Sequence, residues 1–167
     1  ILTPKYFSLN FREFTSTSLK TMIFKKKIHF PIVVKPISEG SSLGVKITQN
    51  INNLVFSAKL LFKKYDELIF EEYIGGQEIQ AAVLNDNPIG AIELKPKRKF
   101  YDYKAKYTKR AKTKHIMPAN LKPKDYRKVL KIAKKAHQLL NCKGVTRSDF
   151  KFFRNKFYLL EINTQPG

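Results

Sequence analysis

The stretch Gly144-Val145-Thr146-Arg147-Ser148-Asp149-Phe150-Lys151-Phe152-Phe153-Arg154-Asn155-Lys156-Phe157-Tyr158-Leu159-Leu160-Glu161-Ile162-Asn163-Thr164-Gln165-Pro166-Gly167 decides how the rest of the chain is read. Two apolar, aromatic-rich runs flank the polar Arg154-Asn155-Lys156, so the pattern predicts two β-strands joined by a three-residue turn. Such a turn sets Asp149 opposite Glu161 and Arg147 opposite Asn163. Side chains two apart share a face of a strand. All four polar groups then project from one side of an otherwise apolar hairpin. Two carboxylates and an amide oxygen are hard ligands suited to Mg²⁺ bridging phosphates. An arginine beside them can stabilise charge that builds up in phosphoryl transfer. The competing reading is a set of solvated or mutually paired polar groups.

The chain has 167 residues, 43% of them apolar, which allows one domain or two small ones with a proper core. Cys142 is the only cysteine, so no internal disulfide forms and a reducing compartment fits. No apolar run approaches the length of a membrane span. The net charge of +20 would attract nucleic acid, anionic lipid or nucleotide phosphates. The charge is mostly lysine and is spread along the chain, densest at residues 25–27, 95–99 and 104–114. It accompanies a general richness in Lys, Asn, Ile and Phe that low-GC coding produces without any function. A nucleic-acid-binding module is the reading that charge alone suggests.

Working back from the hairpin, residues 123–140 repeat apolar positions at helical spacing, from Tyr126 through Val129, Ala133 and Ala136 to Leu140. Residues 95–122 are basic and read as loop. Residues 78–84 and 89–94 form a hairpin across Asn85-Asp86-Asn87-Pro88. Residues 68–74 read as a strand ending at Gly75-Gly76, and 52–64 as an amphipathic helix. Residues 31–36 form a buried strand, followed by a small-residue loop and a return strand at 45–47. Residues 1–30 are mixed and yield no definite element. Hairpins alternating with single helices imply an α+β arrangement of antiparallel sheets.

Two further segments suit a nucleotide. The loop from Glu39 to Gly44 can bring backbone N–H groups and the Ser41 and Ser42 hydroxyls to a phosphate, with Lys35 at the end of the preceding strand. A plain turn is the alternative. The strand edge at Glu71-Glu72-Tyr73-Ile74 can offer backbone groups to an adenine, and Glu78 can accept from ribose hydroxyls. Solvated acids on an edge are the alternative there.

Taken in order, Val34-Lys35-Pro36-x-x-Glu39-Gly40-Ser41-Ser42-x-Gly44, Glu71-Glu72-Tyr73-Ile74-x-Gly76-x-Glu78, Phe100-Tyr101-Asp102-Tyr103-x-Ala105-Lys106-Tyr107, Gly144-x-x-Arg147-x-Asp149 and Leu160-Glu161-x-Asn163-Thr164-x-Pro166-Gly167 resemble the D-alanine–D-alanine ligases, an ATP-grasp family. The resemblance covers nearly the whole chain. It implies an ATP-grasp fold of two antiparallel-sheet subdomains with helices, residues 1–73 and 74–167, with the nucleotide between them. Lys35 would contact ATP phosphates, and Ser41 and Ser42 would lie in a loop closing over ATP and substrate. Glu71, Glu72, Tyr73 and Ile74 would bind adenine and Glu78 the ribose. Lys106 and Tyr107 would lie on a mobile loop covering the site. Asp149, Glu161 and Asn163 would bind two Mg²⁺ (or Mn²⁺) ions, Arg147 would stabilise the transferring phosphate, and the Gly167 N–H would meet the tetrahedral intermediate.

The implied reaction joins two D-alanines through a D-alanyl phosphate, for peptidoglycan precursors. It would take place in the cytoplasm, in a homodimer, with neither nucleic acid nor membrane as partner. A sister ligase joining D-alanine to a hydroxy acid is the rival, and Tyr107 argues against it. Lys104 replaces a common glutamate and Gln165 a common serine. The chain begins at Ile1 and stops at Gly167, so it reads as the central and C-terminal part of a longer enzyme, inactive alone.

Overall fold

In the computed structural model, which describes residues 1–40, 42–95 and 113–166, the chain divides into two compact units. Residues 4–73 form the first. Residues 74–95 and 113–166 form the second, together with residues 1–3. Leu2 contributes its carbonyl to the second unit, accepting from Leu159 N–H at 2.9 Å.

The first unit is built on a four-stranded antiparallel sheet in the order β1-β4-β2-β3. The strands are β1 (Tyr6–Asn10), β2 (Ile32–Pro36), β3 (Lys46–Thr48) and β4 (Glu67–Glu72). Alternation along each strand sends Phe7, Leu9, Ile32, Val34, Leu68 and Phe70 to one face. There they form a core with Leu19 of α1 (Ser16–Lys26) and Leu54, Ala58 and Leu61 of α2 (Ile51–Leu61). The mixed N-terminal segment thus holds a strand and a helix. Helix α1 buries only Leu19, so it lacks an apolar stripe that would mark it in the sequence. Its start is set by a reciprocal cap: Ser18 N–H donates to Thr15 Oγ1 at 2.9 Å and Thr15 N–H to Ser18 Oγ at 2.8 Å. Asn50 caps α2 through Oδ1, which accepts from Asn53 N–H.

The second unit holds a five-stranded antiparallel sheet in the order β7-β6-β5-β8-β9. Its strands are β5 (Gln77–Leu84), β6 (Asn87–Lys95), β7 (Lys114–Ile116), β8 (Val145–Phe153) and β9 (Lys156–Asn163). Helix α3 (Pro123–Leu139) covers one face, where Val129 and Ala133 pack with Ile79, Ala81, Val83, Ala91, Phe150 and Phe157. Two polar contacts pin it there. Ala91 N–H donates to Tyr126 Oη at 3.0 Å, and buried His137 Nδ1 lies 2.8 Å from Thr146 Oγ1. Gly76, at φ 87°, opens β5; a Cβ there would lie 2.2 Å from the Phe152 carbonyl oxygen, so only glycine fits.

Both long hairpins differ from the expected turns. Asn85-Asp86 alone joins β5 to β6, and Asn87 and Pro88 belong to the strand, paired with Leu84 and Val83. Arg154-Asn155 alone joins β8 to β9, and Lys156 pairs with Phe153. All four turn residues have positive φ, between 46° and 66°, the two-residue geometry that matches strand twist. A two-residue turn by itself would set Asp149 opposite Leu160. A bulge after Asp149 removes this offset: Phe150 pairs with Leu159, yet Asp149 pairs with Glu161 and Arg147 with Asn163. The expected register is present, by a different construction.

Candidate nucleotide and metal site

The face of the second sheet away from α3 carries three cross-strand rows. Gly90, Ala82, Arg147 and Asn163 make one; Ile92, Gln80, Asp149 and Glu161 the next; Leu94, Glu78, Lys151 and Tyr158 the third. Residues directly opposite across an antiparallel pair share a face. The four polar side chains singled out in the terminal hairpin are therefore brought together.

Arg147 grips Asp149 with two donors, Nε to Oδ1 at 2.8 Å and Nη2 to Oδ2 at 3.2 Å. Gln80 Nε2 donates to the same Oδ2 at 3.2 Å. Glu161 is exposed, and its Oε1 accepts from Asn163 Nδ2 at 3.2 Å. Burial pushes the Asp149 carboxyl up to about 6 from its ordinary 3.8, with Arg147 and Gln80 pulling the other way and the charge of Glu161 adding to the rise. A cation beside Asp149 and Glu161 would relieve both the burial cost and their repulsion. A carboxylate offers roughly four acceptor positions, and among the described residues Asp149 uses three, which leaves one for an ion. Among the described residues no cluster of three or more His, Cys, Asp or Glu side chains forms a metal cage. Two carboxylates and one amide oxygen suit instead a hard ion whose remaining ligands are phosphate oxygens and water.

Lys35 and Glu71 lie diagonally on the face of the first sheet away from its α1 and α2 core, joined by an ion pair of 2.8 Å. Glu72 points to the opposite face from Glu71. The N–H groups of Glu72 and Tyr73 are engaged in the fold, donating to the carbonyls of Lys5 and Pro31 at 2.9 and 3.0 Å. The expected strand edge is absent: β4 lies between β1 and β2, and Glu71 pairs with Tyr6 on one side and Val33 on the other. Ser42 has φ 61° and its carbonyl accepts from Val45 N–H, the geometry of a tight turn. Gly44 packs against the Pro36 ring, 2.9 Å from where a Cβ would stand, which gives that glycine a structural reason. Ser41, Lys106, Tyr107 and Gly167 lie outside the described residues. Two residues were not anticipated: Gln80, which holds Asp149, and Lys151, whose Nζ donates to Glu78 Oε2 at 2.9 Å. Both continue an alternation, Glu78-x-Gln80 on β5 and Arg147-x-Asp149-x-Lys151 on β8, that period-two spacing exposes.

Two antiparallel sheets with few helices and this polar hairpin define an ATP-grasp fold, the class in which the solved structures similar to this chain fall. The D-alanine–D-alanine ligase from Bacillus anthracis complexed with ATP superposes with a TM-score of 0.79 at 28% identity, over 100% of this chain and 52% of that one. The VanG D-Ala:D-Ser ligase from Enterococcus faecalis gives 0.84 at 28% identity, over 100% and 49%. The chain belongs to the family described as D-ala D-ala ligase C-terminus, whose model it matches over residues 1–167. A D-alanine–D-alanine ligase from Pelagibacter ubique is 53% identical over 167 residues, covering all of this chain and 54% of that protein. The chain spans about half the length of the curated relatives it matches. Among the described residues no helix is long and apolar enough to cross a membrane.

Proposed function

We propose that this chain supplies the nucleotide- and metal-binding part of an ATP-dependent ligase that joins two D-alanines through a D-alanyl phosphate. The observation that carries this reading is the alignment of Arg147 and Asp149 with Asn163 and Glu161 on one sheet face. Asp149, Glu161 and Asn163 would hold two Mg²⁺ or Mn²⁺ ions. Such ions neutralise phosphate charge and orient the transferring group. Arg147, already oriented by Asp149, donates to the phosphoryl oxygens as charge spreads over them. Lys35 contributes a second cation to the phosphates, with Ser41 and Ser42 on the loop beside it. Glu71, Glu72, Tyr73 and Ile74 receive the adenine and Glu78 a ribose hydroxyl.

The carboxylate of the first D-alanine takes the γ-phosphoryl group and ADP leaves. The amine of the second D-alanine then attacks the acyl carbon, loses a proton and expels phosphate. Lys106, Tyr107 and the Gly167 N–H belong to this stage of the proposal: the first two shield the acyl phosphate from water, and the third receives the oxyanion. Holding both amino acids in one site supplies the proximity the second step needs. A cytoplasmic homodimer that takes neither nucleic acid nor membrane as partner completes the proposal. Residues 1–73 carry the nucleotide side of the work and 74–167 the metal side.

The test is an incubation of the full-length enzyme with ATP, Mg²⁺ and D-alanine, assayed for ADP, phosphate and dipeptide, with D-lactate and D-serine as competing acceptors. Dipeptide formed one-to-one with ADP supports the reading. ADP release independent of D-alanine refutes it.

A further inference from the structure

We propose that Lys151 is a positioning residue for the nucleotide ribose, acting through Glu78; the inference rests on the ribose role proposed for Glu78. Lys151 and Glu78 face each other across β8 and β5, one row along from Asp149 and Gln80. Their ion pair of 2.9 Å is well shielded, with the two side chains only 12% and 14% exposed. A shielded, charge-assisted pair of this kind is worth more than a surface one.

The pair does two things for a ribose site. It fixes Glu78: Oε2 is taken by Lys151, which turns Oε1 into a preset acceptor for a hydroxyl. Three side-chain torsions that a lone glutamate would have to freeze on binding are frozen beforehand. It also cancels a charge. A bare carboxylate near a triphosphate repels it, and the repulsion grows in a low-dielectric site. Lys151 leaves Glu78 its acceptor oxygen without its net field. On the same face, Arg147 holds Asp149 as Lys151 holds Glu78, so β8 supplies the cation of both cation–carboxylate pairs.

The experiment compares ATP with 2′,3′-dideoxy-ATP as substrates of the full-length enzyme for the wild type, Lys151→Met, Lys151→Arg and Glu78→Ala. For Lys151→Met the expected result is a KM for ATP raised about tenfold. Its kcat should stay within about twofold, since no transition-state contact is lost. The preference for ATP over the dideoxy nucleotide should shrink toward that of Glu78→Ala, and Lys151→Arg should restore it. A merely structural role for Lys151 would lower activity with both nucleotides alike and leave that preference intact, which overturns the inference. If Glu78→Ala also keeps the wild-type preference, the ribose role of Glu78 falls and this inference with it. A lost preference in Glu78→Ala with none lost in Lys151→Met overturns Lys151 alone. Should Lys151→Met fail to fold, Lys151→Gln carries the same comparison.

Discussion

The hairpins β5–β6 and β8–β9 share one construction and carry different loads. Each turns on two residues of positive φ, and each contains a bulge that shifts the register by one. In β5–β6 the bulge falls between Ala82 and Val83, near Pro88, a residue that cannot donate to a ladder. There it keeps Ala91 in the core under α3 and sets Gly90, Ile92 and Leu94 opposite Ala82, Gln80 and Glu78. In β8–β9 the bulge decides the chemistry, because a one-residue slip exchanges the two faces of a strand. Without it Glu161 would lie opposite Ser148, on the α3 side, and Asp149 would face a leucine. The same irregularity sets apolar neighbours beside the polar face in one hairpin and assembles the acidic pair in the other.

The comparison is broken most directly by making one substitution in both hairpins. Glu161→Gln on β9 should lower kcat of the full-length enzyme by about a hundredfold or more, since it would remove a charge from the proposed phosphoryl-transfer site. Glu161 is exposed, so the melting temperature should move little. Glu93→Gln on β6 should do the reverse. Glu93 is only 1% exposed, its Oε1 lies 3.5 Å from Lys95 Nζ, and among the described residues its Oε2 has no hydrogen-bond partner. Neutralising it should raise stability by about 1 kcal/mol while activity holds. Equal kinetic losses in both variants would mean that the two hairpins do not divide their roles.

A second test concerns the join between β5 and β8. Gly76→Ala forces a Cβ to 2.2 Å from the Phe152 carbonyl at a left-handed φ, whereas Gly75→Ala meets nothing within 4 Å. Denaturant titration should show a loss of at least about 3 kcal/mol for the first and under about 1 kcal/mol for the second. Similar losses would show that β5 does not rest on β8 as closely as drawn.

The third test uses pH. The Asp149 carboxyl titrates at about 6 in the fold against an ordinary 3.8. The folded state therefore holds that proton more tightly than the unfolded one. The stability this contributes is complete below 3.8 and is lost as pH rises through about 6. In the absence of nucleotide and metal, the wild type should lose no more than about 3 kcal/mol across that window relative to Asp149→Asn. A flat difference between the two proteins from pH 4 to pH 7 would show that Arg147 and Gln80 already offset the burial.

These tests bear on what the sequence could disclose. Strands such as Ile32-Val33-Val34 and the helix from Tyr126 to Leu139 were legible because apolar period and propensity agree. Strand β1 and helix α1 were not, since a helix burying Leu19 alone has no stripe, and only the Thr15–Ser18 cap marked its start. The Arg147, Asp149, Glu161 and Asn163 face was legible from period-two spacing. Its register came from a three-residue turn that does not exist, a turn and a bulge having summed to the same offset. Spacing places Gln80 on one face with Glu78, but its contact with Asp149 was hidden: the two meet across 69 residues of chain, through a β5–β8 pairing that no local pattern announces.

The smallest expected effect lies in the turns themselves. Asn85 and Asp86 tolerate left-handed backbone, because their short polar side chains bond locally. Arg154, at φ 48°, has no such help and carries the ordinary cost of a Cβ in that region. That choice also hid the turn, since Arg-Asn is not among the pairs that signal a two-residue hairpin. Arg154→Gly should therefore stabilise the protein, but by less than the roughly 1 kcal/mol of relieved strain. The guanidinium lies over the Phe153 ring, 5.1 Å from its centroid, and that contact is lost with the side chain. An exposed cation–π contact contributes about 0.5 kcal/mol. The expected net gain is about half a kcal/mol. Asn85→Gly in the other hairpin, relieving little strain, should gain still less. A larger gain at Asn85 than at Arg154 in paired denaturant titrations would show that left-handed strain is not what separates the two turns.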